Sequence, residues 1–299
     1  MAQVELATPA DGTTSKSERI KAIQEQTWID YEAGETILSR LQWMFEHPLT
    51  FRPPCALIVG ESNSGKTRLA REFQRCHRPP ESEADETEET YPVVFVETPP
   101  GPYVPDFYGG LLRAVNAAFQ PTWSRQRKET QILDLFPRVG VRMIIVDEIH
   151  NILPGSRDQR TIFLNSLKFL TNSLRIPIVA IGTKSAVTAF QTDQQFGNRF
   201  EPLQVPNWEP NQDYARFIFR YVRAAGFEME KAFTAKRVTD DIHAKTKGLT
   251  GETVKLLRGA MYASARMGVE KLHPSILEGL NFVSVRQRRK KASSQAEML

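Results

Sequence analysis

Cysteine is scarce: Cys55 and Cys76 are the only two in 299 residues. Two thiols cannot build a disulfide framework, which removes the small stapled secreted scaffolds and fits a reducing compartment. Cys76 with its neighbour His77 is too small a cluster for a zinc site. Long apolar runs are missing as well. None approaches the roughly eighteen residues that cross a bilayer, so no membrane partner is expected. The first twenty residues, MAQVELATPADGTTSKSERI, lack a basic segment followed by an apolar one, so secretion is not expected either and a cytoplasmic protein is. Charge of one sign is missing from two stretches. Residues 81–90 carry six acids and no base, and residues 286–291 carry five bases and no acid. The whole chain has a net charge of +4, a balance compatible with nucleic-acid binding without requiring it.

What is present begins with a hydrophobic content of 40% and a charged content of 25%, ordinary for a soluble globular chain long enough for one large or two modest domains. The most informative stretch is Leu57 to Thr67, LIVGESNSGKT. Ala56 to Val59 reads as a buried strand ended by Gly60. Gly60 to Thr67 fits G-x-x-x-x-G-K-[ST] at every fixed position, and Arg68 to Gln74 reads as the helix that follows. Strand, loop and helix together make this a phosphate-binding loop (Walker A). Glycines let the backbone wrap around phosphate oxygens, and the N–H groups of Gly60, Glu61, Ser62, Asn63, Ser64, Gly65, Lys66, Thr67 and Arg68 lead to a helix N-terminus with partial positive charge. Lys66 would neutralise the β- and γ-phosphates of ATP, and the Thr67 hydroxyl would bind Mg²⁺. A second apolar run, Met143 to Val146, ends at Asp147-Glu148 and reads as a doubly buried parallel strand. Asp147 would hold Mg²⁺ through water, and Glu148 would orient and deprotonate the attacking water. The two motifs in this order predict an ATP hydrolase.

Along the rest of the chain, residues 1–18 read as a flexible arm. A helical pattern runs from Ile20 to Glu46, with Ile37, Leu38, Leu41 and Met44 on one face. Trp28 and Tyr31 ahead of that face either pack against a base or anchor the core, the commoner role. Residues 79–90 read as a solvated acidic loop. Pro92 to Glu97 is a strand, followed by a Pro/Gly loop (residues 98–105) where open α/β sheets place ligand contacts, and then a helix over 106–119. Trp123 to Lys128 places three bases beside an aromatic, which suits either a phosphate-backbone contact or a solvated helix start. The helix continues through Phe136. Thr161 to Thr171 is an amphipathic helix. Ile176 to Ile181 is a third buried strand, and the polar residue at its end, Thr183, can touch the γ-phosphate or its attacking water. After a helix from Lys184 to Phe190, Arg199 lies between Phe196 and Phe200. From Pro210 onward only helices are expected (213–226, 235–246, 253–266 and 274–283), with no strand between them, and then a disordered basic tail from Arg286.

A phosphate loop, an acidic strand end, a polar strand end, an arginine after the next helix and a helical lid follow the AAA+ plan. The wording Trp-Ile-x-Tyr before a helix, LIVGESNSGKT, IIVDEIHNIL, IVAIGT and NRFEPLQVPNW closely resembles the TniB/TnsC family of AAA+ regulators of bacterial DDE transposons, including the CRISPR-associated ones, over residues 27–285. The resemblance implies an α/β AAA+ P-loop NTPase with a central parallel sheet (residues 19–208) and a small C-terminal helical lid (209–285). It implies an ATPase that assembles as a ring or helical filament on duplex DNA and links a TniQ-type targeting protein to the DDE transposase. ATP hydrolysis would drive disassembly, and the protein would not itself cut DNA. Residue by residue, Lys66 and Thr67 match Walker A and Asp147 and Glu148 match Walker B. Thr183 matches the first sensor and Arg199 the arginine finger supplied to a neighbouring subunit. Arg125, Arg127 and Lys128 fit DNA-contacting loops by position and charge. One departure is the second sensor: Leu249 to Lys255 contains no arginine, and the first one after it is Arg258. An AAA+ helicase loader or replication initiator is the alternative, although the chain ends too early for the winged-helix domain such proteins often carry. A non-hydrolysing ATP-gated scaffold is opposed by Glu148.

Overall fold

The computed structural model describes residues 16–25, 28–79, 89–191, 197, 199–269, 271–284 and 288. The expected N-terminal arm up to residue 15, most of the acidic loop, Phe196, Asn198 and the basic tail other than Arg288 therefore lie outside the described residues. The chain divides into two compact units. One is built from residues 32–206, the other from residues 1–31 together with 207–299.

The first unit is an α/β layer structure. Its strands are β1 (Cys55–Val59), β2 (Val93–Glu97), β3 (Met143–Asp147), β4 (Ile178–Gly182) and β5 (Phe200–Gln204). All neighbours are parallel and the order is β2-β3-β4-β1-β5. Every residue of β1, β3 and β4 is buried, as expected of strands covered on both faces and read as unbroken apolar runs. The register sets three strand ends side by side. Val59 pairs with Gly182, Val146 with Ala180 and Glu97 with Asp147. The carboxyl ends of β1, β4 and β3, where open α/β sheets bind ligands, thus lie next to one another.

Around this sheet run α2 (Glu32–Phe45), α3 (Lys66–Cys76), α4 (Val104–Ala114), α5 (Arg125–Arg138), α6 (Arg157–Leu174) and α7 (Lys184–Gln191), with a 3₁₀ turn at Ile149–Ile152. Several helix starts are fixed by side chains. Ser124 Oγ accepts from the Arg127 N–H, and Ser156 with Gln159 forms a reciprocal cap on α6, satisfying backbone donors that a helix start leaves unmet. Helix α4 stops at Ala114, short of the expected Phe119. Asn116 adopts φ 52, and this left-handed residue breaks the helical repeat.

The second unit holds α1 (Lys16–Gln24) and the helices α8 (Gln212–Ala224), α9 (Lys236–Thr246), α10 (Thr250–Met267) and α11 (Pro274–Gly279). Its core is made of residues such as Tyr214, Ile218, Val222, Ile242, Leu257 and Met261, with Ile23 contributed by α1. Two expectations change here. The helical pattern from Ile20 to Glu46 is two helices, and α1 with the following segment through Tyr31 belongs to the helical unit rather than to an α/β domain beginning at residue 19. The helical unit also contains strands: β6 (Glu228–Met229) pairs in parallel with β7 (Lys271–Leu272). Two residues each are too few to leave a periodic signal. Tyr31 takes the core-anchor role, with Trp28 against its ring at 5.9 Å. Tyr31 lies 5.2 Å from Trp208 and 6.4 Å from Phe217, and Trp208 stacks on Phe217 at 4.9 Å. Gly248 is required beside this cluster. Its φ is +65, and an added Cβ would stand 2.1 Å from the Trp208 carbonyl oxygen.

Candidate functional site

Residues 60–67 turn from β1 into α3 through two left-handed positions, Asn63 (φ 64) and Gly65 (φ 94). Gly60 has no room for a side chain: a Cβ there would meet Ser64 Oγ at 2.7 Å and the Val205 carbonyl oxygen at 3.0 Å. Lys66 starts α3 but its side chain folds back beneath the loop. Its amine donates to the Gly60 carbonyl (2.9 Å), the Glu61 carbonyl (2.6 Å) and Ser64 Oγ (3.4 Å). The loop is thereby preformed around a buried cation, while Glu61, Ser62, Asn63 and Thr67 remain exposed and Arg68 is half-buried in the first turn of α3. Burial pulls the Lys66 pKa down from its ordinary range. The carboxylates of Glu148, Asp147 and Glu61 oppose that shift, Glu148 most strongly.

The acidic end of β3 meets this loop directly. The Thr67 hydroxyl donates to Asp147 Oδ2 at 2.8 Å, and Asp147 Oδ1 accepts from the Glu148 backbone N–H at 2.8 Å. A hydroxyl and a carboxylate converging at the start of a helix are hard oxygen donors of the kind Mg²⁺ takes along with phosphate oxygens and water. Among the described residues no cluster of three or more His, Cys, Asp or Glu side chains could hold a metal, so a cation at this pair would need phosphate oxygens or water as its further ligands. Glu148 is half-exposed beside it, with φ 54. Thr183 follows β4, between the other two strand ends, and its hydroxyl is 2.7 Å from Ser185 Oγ.

Two residues not among the expected site residues, one of them at the start of the expected ligand-contact loop, complete the strand ends. Thr98, at the end of β2, is buried and donates from both its N–H and its hydroxyl to the Asp147 carbonyl (2.9 and 2.8 Å). Asn151 donates its side-chain amide to the Thr98 carbonyl at 3.1 Å. Their position after sheet strands was the available signal. A third, His150, places Nε2 3.0 Å from Glu148 Oε2.

The structure does not bring Arg199 to this site within one subunit. Arg199 stands before β5, and its guanidinium donates to Asn172 Oδ1 at 2.9 Å and Thr171 Oγ1 at 3.4 Å at the end of α6. Phe200 pairs with Cys55 at the amino end of β1. Five residue steps, at about 3.3 Å each, separate Cys55 from Gly60 at the start of the phosphate loop.

The three candidate DNA contacts separate as well. Arg125 and Arg127 are exposed on the first turn of α5. Arg125 lies 3.7 Å from Glu129, and Arg127 stacks its guanidinium 3.8 Å from the Trp123 ring centre. Lys128 is a correction. It is 2% exposed, and its amine donates to the Pro105 and Pro121 carbonyls at 3.2 and 2.9 Å. It ties the first turn of α4 to the segment before α5 and does not present a cation to a phosphate. In the helical unit, Arg258 donates to the Ile23 and Gln24 carbonyls at 2.8 and 2.7 Å, so it caps the C-terminus of α1. Lys255 is exposed.

The profile of the bacterial TniB protein family matches residues 19–210. No curated protein sequence matches the chain. Among solved structures, the ORC1 protein of Aeropyrum pernix in complex with DNA is similar at TM-score 0.62 and 17% identity, over 87% of this chain and 67% of that one. Cdc6p of Pyrobaculum aerophilum gives 0.61 and 14%, over 86% and 69%. Drosophila ORC bound to DNA gives 0.58 and 15%, over 93% and 68%. These likenesses establish the fold: an AAA+ P-loop architecture around the parallel sheet.

Proposed function

We propose, from the premise that this chain belongs to the bacterial TniB protein family, that it is an ATP-dependent regulator of DNA transposition. In this reading ATP-bound copies assemble as a ring or helical filament on target duplex DNA in the bacterial cytoplasm. They bridge a TniQ-type targeting protein to the DDE transposase, and ATP hydrolysis drives their disassembly. The observation that carries the reading is the convergence of Lys66, Thr67, Asp147 and Glu148 at the carboxyl ends of β1 and β3 in a chain of this family.

Each residue has a defined task. Backbone N–H groups of Gly60 to Arg68 cradle the phosphates at the start of α3. Lys66 exchanges its loop carbonyls for the β- and γ-phosphate oxygens. Thr67 and Asp147 would hold Mg²⁺, which when bound would neutralise phosphate charge. Glu148 takes a proton from the attacking water, and Thr183 orients that water or the γ-phosphate. Arg199 of one copy reaches the site of the next, where an arginine in that position stabilises charge on the transferring phosphoryl group. Exposed Arg125 and Arg127 contact DNA phosphates without reading sequence, which suits a regulator whose target choice comes from a partner.

Electron microscopy with duplex DNA tests this reading in ATP, in ADP and without nucleotide. Rings or filaments on DNA in ATP alone are expected. Lys66→Ala is expected to lose ATP binding and assembly. Glu148→Gln is expected to keep ATP binding, lose turnover by about a hundredfold or more and lengthen the filaments. An unchanged turnover rate in Glu148→Gln would remove that residue as the base. ATP binding and turnover without assembly on DNA would instead favour a loader acting on a protein partner.

A further inference from the structure

The chain leaves β3 through a tight, fixed turn. Glu148 adopts a left-handed backbone (φ 54), the Asn151 N–H returns to the Glu148 carbonyl at 2.8 Å, and the Leu153 N–H to the His150 carbonyl at 3.0 Å. Ile149 and Ile152 of this turn are fully buried. It packs so closely on the end of β4 that a Cβ on Gly182 would come within 2.8 Å of Ile149 Cγ2. His150 therefore stands on a rigid support joined to the strand that ends at Thr183. From there its Nε2 meets Glu148 Oε2 at 3.0 Å. Its other ring nitrogen, Nδ1, is buried and has no hydrogen-bond partner among the described residues. A proton on Nδ1 would be a buried donor with nothing to receive it, which is costly. The neutral tautomer with its proton on Nε2 satisfies the contact, donating to the carboxylate while Nδ1 stays bare.

We infer that His150 is a positioning residue for Glu148: its Nε2–H holds Oε2 of the carboxylate and so aims Oε1 at the water to be deprotonated. The inference rests on the ATPase reading of the site and deepens it. The position of Glu148 agrees with this role, since among nearby acids its carboxylate acts most strongly on the Lys66 amine. A long, half-exposed glutamate without such a tether would sample several rotamers, and a base displaced by about 1 Å costs a large part of its effect. With the tether on a turn packed against β4, the base and the Thr183 end of that strand move as one piece.

The test uses the full chain with DNA and Mg²⁺, comparing wild type, His150→Phe and His150→Gln. Phenylalanine keeps the ring and removes the donor; glutamine restores an N–H near the Nε2 position. His150→Phe is expected to lower kcat about ten- to a hundredfold, with KM and ATP affinity near wild type, and His150→Gln to recover most of the loss. A second readout needs no nucleotide: nitrogen-15 NMR of histidine-labelled protein, with the His150 signal assigned by its absence from His150→Phe. It should show the Nε2–H tautomer in wild type, and in Glu148→Ala the signals of Nε2 and its proton should shift as the hydrogen bond to the carboxylate is lost. Wild-type kcat in His150→Phe, or an Nδ1–H tautomer in wild type, overturns the inference. A wild-type chain that binds but never hydrolyses ATP overturns the ATPase reading, and the tautomer then decides the His150–Glu148 contact by itself.

Discussion

Lys128 and Arg127 are adjacent bases with opposite fates. Lys128 is buried with its amine on two carbonyls, whereas Arg127 is exposed on the Trp123 ring. Lys128→Ala is expected to destabilise the α/β unit by about 1–3 kcal/mol, through two carbonyls left without their donor, and to leave DNA affinity unchanged in the folded protein. Arg127→Ala should do the reverse. DNA binding weakens, and the slope of log affinity against log salt shrinks by about one. Chemical denaturation and salt-titrated DNA binding read the two effects separately. Tyr31 gives a prediction in pH. Burial pushes its phenol up from 10.0 to about 12, so the folded chain holds that proton more tightly than the unfolded one. Its contribution is complete below pH 10 and is lost as pH rises through about 12. Tyr31→Phe should therefore flatten the fall in denaturation midpoint over that window.

At the scale of elements, α1 shows how one side chain attaches a helix. The last carbonyls of a helix have no internal partners. Here the Arg258 guanidinium takes those of Ile23 and Gln24, while Ile23 enters the helical core. Arg258→Ala should free the end of α1 with little effect elsewhere. Hydrogen exchange over residues 16–24 is expected to speed up roughly tenfold, corresponding to about 1–2 kcal/mol of local stability. Exchange unchanged in α1 would show that apolar packing alone holds it.

At the scale of the whole molecule, the parallel sheet sets Arg199 and the phosphate loop at opposite ends of neighbouring strands. One subunit cannot supply both, so in the proposed assembly Arg199 acts across a subunit boundary. Arg199→Ala and Glu148→Gln should each bind ATP and each fail to hydrolyse it alone. Mixing them should recover turnover, because a boundary between the two variants can pair an intact Arg199 with an intact Glu148. Phosphate release across mixing ratios measures this. A flat zero at every ratio would place both residues in the same copy's site.

The phosphate loop, the Asp147-Glu148 pair and the positions of the buried strands along the chain were legible in the sequence, whereas their order in the sheet was not. Each is carried by contiguous residues whose backbone is set by close neighbours: glycines where the chain turns left-handed, and apolar runs where a strand is covered on both faces. The fates of Lys128, His150, Arg258 and α1 were not legible. Whether Lys128 faces solvent depends on the Pro105 and Pro121 carbonyls, and Arg258 is used by a helix more than two hundred residues earlier in the chain. The contact of His150 with Glu148 spans two residues but requires a left-handed backbone at a glutamate, which no local preference favours and which packing against Gly182 supports. The sequence by itself determined the chemistry available to this chain and the strands and loops that carry it. Tertiary structure decided which cations are free to act and which are spent on holding the fold, because that depends on acceptors brought near only when distant segments pack.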